Sequence, residues 1–148
     1  MKAEFAQWNN GAGVDLKSWV QAIGNLGLAV GYSTIFWPEF KLLNGYIVSA
    51  AVKEENLTEW ERSCGDNKAQ IEAVLNHVHI SDIHYNSPDL TKEKVIYLLR
   101  VLEEVYKAKL AWQFPDRPCE VEIFIPDNPD NLTDYQITFF QKKNATVA

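Results

Sequence analysis

Phe40-Lys41-Leu42-Leu43-Asn44-Gly45-Tyr46-Ile47-Val48 is the stretch on which the fold turns. Two apolar runs flank Asn44-Gly45, the dipeptide that supplies the positive φ angles of a type I′ turn, so the segment predicts a tight antiparallel hairpin. A second strand pair is predicted near the C-terminus. There Glu120-Val121-Glu122-Ile123-Phe124-Ile125 and Tyr135-Gln136-Ile137-Thr138-Phe139-Phe140 lie on either side of a turn-rich segment, residues 126–131.

Helical signals fill the space between the hairpins. Asn56 is expected to cap Leu57 to Glu61, with Glu59 completing a capping box, and Cys64-Gly65 closes that helix. Asp66 opens the next, in which Ile71, Val74, Leu75 and Val78 recur at i, i+3, i+4 and i+7. After the turn Ser87-Pro88-Asp89, Thr91 caps the longest helix of the chain. Its buried stripe is Val95, Leu98, Leu99, Leu102, Val105, Tyr106 and Leu110, while Arg100 with Glu104 and Glu103 with Lys107 form a solvated face. Pro115 and Pro118 break it.

Ahead of the first hairpin, Asp15 caps a helix carrying Leu16, Trp19, Val20 and Ile23, which Gly24 and Gly27 end. Leu28-Ala29-Val30 and Thr34-Ile35-Phe36-Trp37 then read as strands, stopped by Pro38. Helices and strands come in blocks rather than in alternation. That pattern predicts an α+β fold, a mainly antiparallel sheet with helices packed on one face. With 148 residues and no linker, it predicts one domain over residues 1–148, with 144–148 as a frayed tail.

Composition narrows the function classes. An apolar share of 47% supports a packed core. With 14 basic against 20 acidic side chains, the net charge is -6. A phosphate-backbone binder carries the opposite sign, so nucleic acid is not an expected partner. The N-terminal residues show no apolar leader, no run reaches the ~20 residues of a membrane span, and Cys64 and Cys119 form no CxxC. A cytoplasmic protein with no membrane partner is the expectation.

Leu75-Asn76-His77-Val78-His79-Ile80-Ser81-Asp82-Ile83-His84 contains all three histidines of the chain. If it runs extended, His77 and His79 share a face, and Asp82 or His84 completes the three N/O ligands of a catalytic zinc or iron centre. If the helix continues through it, His77 and His79 diverge, and Asn76 or His77 serves only to close the helix while His84 and Tyr85 border a groove. No cofactor is predicted on that second basis. The cysteines lack a histidine context, and no nucleophile elbow or phosphate-binding glycine loop is present. A different candidate is a surface. Trp37, Trp60 and Trp112 sit at element ends, and together with Glu54 and Glu55 they have the aromatic and acidic composition of a protein-binding face.

The helix ending Ile-Glu-x-x-x-Asn-His-x-His-x-x-Asp, from Ile71 to Asp82, resembles some immunity proteins of bacterial polymorphic toxin systems, as do the small size and acidic charge. That resemblance implies tight binding of a toxin domain, often a basic nuclease, through an acidic face. It brings no catalytic residues with it. Three expectations therefore stand: a protein-binding domain, in its specific form an immunity protein; a small metal-dependent enzyme of hydrolase type built on His77, His79, Asp82 and His84; or a ligand-binding module with a pocket between sheet and long helix.

Overall fold

A computed structural model describes residues 2–144, with side chains from Glu4 onward. The chain is α+β, and its strands form two antiparallel sheets. It parts into two compact units, Met1–Phe36 and Trp37–Ala148. Residues 145–148, most of the predicted tail, lie outside the described part. Asn144 itself is held, because it closes a 3-10 turn and its Nδ2 donates to Glu72 Oε2 at 2.9 Å.

The first unit is helical. A short α1 (Lys2–Phe5) is followed by α2 (Leu16–Ile23), capped by Asp15, whose Oδ1 accepts from Ser18 N at 2.7 Å. Gly24 ends α2 as expected, and the reason is spatial. A Cβ there would stand 2.5 Å from Val20 O. The two strands predicted over residues 28–37 are instead one helix, α3 (Leu26–Phe36). Asn25 decides this by accepting from Leu28 N at 2.9 Å, an N-cap that starts a helix rather than a strand. Gly27 therefore lies in the first turn of α3 and ends nothing. The hydroxyls of Ser33 and Thr34 fold back on Val30 O and Gly31 O, each at 2.7 Å, so both are satisfied within α3.

The second unit opens with the predicted hairpin, β1 (Phe40–Leu43) and β2 (Tyr46–Ser49), in the register Leu43↔Tyr46. Asn44 and Gly45 have φ of 50° and 89°, the left-handed pair that a type I′ turn requires. Next come α4 (Glu54–Cys64) and α5 (Lys68–Leu75). Helix α4 starts three residues before the sequence suggests. Asn56 occupies its third position and accepts from Lys53 N at 3.2 Å, while Glu54 and Glu55 place negative charge at the positive end of the helix. Asn67, not Asp66, caps α5, accepting from Gln70 N at 3.1 Å.

A two-residue β3 (Val78–His79) and a 3-10 turn over Ile80–His84 lead to α6 (Lys92–Gln113), capped by Thr91. Strands β4 (Cys119–Phe124) and β5 (Gln136–Gln141) complete a sheet of order β3-β5-β4, with Val121 opposite Phe139 and Ile123 opposite Ile137. Phe40, Tyr106 and Phe139 meet edge to face at 4.8 to 6.0 Å, which ties β1, α6 and β5 into one core. On the outer face of α6, Arg100 pairs with Glu103 at 2.9 Å rather than with Glu104, and Lys107 pairs with Glu103 at 2.8 Å.

Hydrogen bonds from side chains connect the two sheets. Glu72 and Asn76 lie one turn apart on α5, facing the free edge of β2. Ile47 N donates to Glu72 Oε1 at 2.8 Å, Ile47 O accepts from Asn76 Nδ2 at 2.8 Å, and Ser49 N donates to Asn76 Oδ1 at 3.0 Å. On the other side Glu72 Oε2 accepts from Gln141 N at 2.8 Å, and Asn76 Nδ2 also reaches Phe139 O at 3.3 Å. A helix thus supplies the polar groups that a neighbouring strand would otherwise bring.

Candidate functional site

Helix α5 stops at Asn76 because that side chain is committed to β2, and the chain leaves the helix there in an extended conformation. The helical continuation through Val78 does not occur. Val78 pairs with Ile137 and His79 with Gln136. His77 and His79 consequently share a side, their rings 5.6 Å apart and inclined at 76°. Each is anchored by Nδ1, that of His77 on Val74 O and that of His79 on Thr133 O at 2.8 Å. A carbonyl only accepts, so both Nδ1 atoms carry the proton in these contacts, which leaves Nε2 as the nitrogen able to accept.

Ile80 then turns the chain inward. It is buried, its N donating to Tyr135 O at 3.0 Å. The 3-10 turn that follows sets Asp82, His84 and Tyr85 on the surface, where they border a groove of about 640 Å³ together with His79, Thr133 and Asp134. His77 is not part of it. It lines a second groove of about 350 Å³ with Trp60, Asn76 and Phe40. The histidine stretch is therefore divided between two concavities. Among the described residues, no group of three or more His, Cys, Asp or Glu side chains is placed to hold a metal ion.

The aromatic candidates also divide. Trp37 and Trp112 come together, ring centroids 6.0 Å apart, and remain 49% and 68% exposed. Trp60, on α4, belongs to the smaller groove. Glu54 and Glu55 are exposed at the start of α4, and Glu54 Oε1 accepts from Asn44 Nδ2 at 3.2 Å, tying the helix to the hairpin turn.

Two residues that matter here escape a sequence reading. Lys109 is 6% exposed, its Nζ 4.8 Å from the Trp37 ring and 4.7 Å from the Trp112 ring. The available signal was its place three residues after Tyr106, on the buried stripe of α6. Glu72 is fully buried, although an acid on a short helix ordinarily reads as solvated. Neither cysteine has the setting of a nucleophile. Both are free thiols, and burial, helped by the charge of Glu72, pushes Cys119 up to about 11.

No helix among the described residues is long and apolar enough to cross a membrane. Comparison with protein-family models, with curated proteins and with solved structures finds no match for this chain.

Proposed function

We propose that this chain is a protein-binding domain, and in its specific form an immunity protein that neutralises a bacterial toxin domain in the cytoplasm. The observation that carries the proposal is the exposed pair Trp37 and Trp112, with rings 6.0 Å apart. Indoles left in water at an element end cost stability and serve best as anchors that a partner buries. The net charge of -6 suits a basic partner through complementary steering. The Ile71–Asp82 resemblance adds the toxin-neutralising form.

The test is co-expression with the protein encoded beside this chain, read by growth rescue and by calorimetric titration of the purified pair. A complex that Trp37→Ala and Trp112→Ala each weaken by about 30-fold or more is expected, the size of a hot-spot truncation. Absence of both rescue and complex would retire the toxin form, and unchanged affinity in both variants would remove the indoles from the interface.

A second reading, a metal-dependent hydrolase, draws on His79, whose Nδ1 is held by Thr133 O, in the groove it shares with Asp82 and His84. Near-stoichiometric zinc or iron in protein purified without chelator, lost in His79→Ala, would put that reading first.

A further inference from the structure

The ammonium of Lys109 has no anion of its own. Lys94, Arg100, Lys107 and Lys142 each pair with a carboxylate, at 2.8 to 3.3 Å. Lys109 is more than nine-tenths buried yet makes neither a hydrogen bond nor an ion pair among the described residues. Its only partners are the ring faces of Trp37 and Trp112, which attract a cation but offer no lone pair to its three N–H donors. One turn further along α6, Gln113 donates through Nε2 to Phe40 O, while its Oε1 is buried with no partner. Gln113 Oε1 is the single described side-chain atom sealed in this way, so the ammonium of Lys109 keeps some contact with solvent.

We infer that Trp37, Lys109 and Trp112 form a binding site for an organic carboxylate carried on a flat apolar body. The lone ammonium matches one negative charge, and a carboxylate supplies the acceptor that the rings lack. Phosphate fits less well, since the cluster has no guanidinium fork and no second cation. The two exposed indoles, 6.0 Å apart and each within 4.8 Å of the charge, offer apolar ring surface beside it. The site shares Trp37 and Trp112 with the proposed contact surface but stands without that reading, because a small probe can bind where the partner test fails.

Phenylacetate is the probe, followed through the indole N–H signals of the five tryptophans by nuclear magnetic resonance. Saturable shifts confined to Trp37 and Trp112 are expected. Benzylamine, with the same ring and the opposite charge, leaves them in place. Lys109→Met keeps the aliphatic stem and weakens phenylacetate about tenfold or more, as loss of a charged hydrogen bond requires. Trp112→Leu, at a largely exposed position, weakens it as well and serves if the lysine variant folds poorly. N-acetylglutamate amide, run in parallel, distinguishes the sources. Weaker binding than phenylacetate is expected, and tighter binding would assign the carboxylate to an acidic side chain of a protein and overturn the flat apolar body. Equal binding of benzylamine, undiminished binding to both variants, or no shift with either acid overturns the proposal.

Discussion

At Glu72 a carboxylate with no solvent exposure accepts from Ile47 N, Gln141 N, Gln141 Nε2 and Asn144 Nδ2. Every group that faces it is a donor, which is why an acceptor-only side chain sits there. Gln141 extends the network, since its Oε1 accepts from Arg117 Nη1 at 3.2 Å and its Nε2 also donates to Gly45 O at 2.9 Å. Glu72→Gln turns one acceptor into a donor aimed at donors and is expected to lose about 2–3 kcal/mol, measured by urea unfolding. A loss within ~0.5 kcal/mol, the range of ordinary surface changes, would refute the central place given to this carboxylate. Neither Glu72 nor Lys109 shows this role in the sequence. Whether an acid or a lysine on a helix is solvated depends on what lies across from it, and at Glu72 the groups across come from residues 25, 69 and 72 positions away.

Elements were legible where a local chemical signal starts or stops them. The hairpin declared itself through Asn44-Gly45, α2 through Asp15 and α6 through Thr91. Helix α3 did not, because Leu26–Phe36 has no charge and no polar face, and a short apolar run without alternation serves a strand or a buried helix equally well. The turn just ahead of α6 carries a pH-dependent contact. Asp89, bonded to Ser87 Oγ and to Lys94 Nζ at 2.9 Å, is lowered by these partners to about 2. Its folded value lies below the ordinary 3.8, so its contribution is present above that range and is lost as pH falls through about 2. Asp89→Asn is therefore expected to be less stable than the parent at pH 5 and to approach it near pH 2, the effect being small and salt-sensitive because the pair is exposed. A stability difference that does not change over this range in thermal melts would count against the contact.

For the molecule as a whole, the buried hydrophobic side chains among the described residues all fall between Phe40 and Phe139. That places a complete core in the second unit. A chain beginning at Trp37 is accordingly expected to unfold in urea as one cooperative transition followed by circular dichroism, and a broad, non-cooperative loss of signal would show that its core is incomplete. The candidate site follows the same large-scale logic. Within one short stretch, His79 faces one groove and His77 another, because β3 is held on one side by β5 while α5 ends against β2.

The amino-acid sequence by itself determined the α+β class, both strand pairs and the caps of α2 and α6. These depend on periodicity, turn chemistry and charge within a few residues. Only the tertiary structure decided the helical state of residues 26–36, the placing of His77 in a different groove from His79, Asp82 and His84, and the enclosure of Glu72 and Lys109. Each of those is set by partners far away in the chain, and the free energy of a polar group depends on the donors, acceptors and rings that folding brings to it.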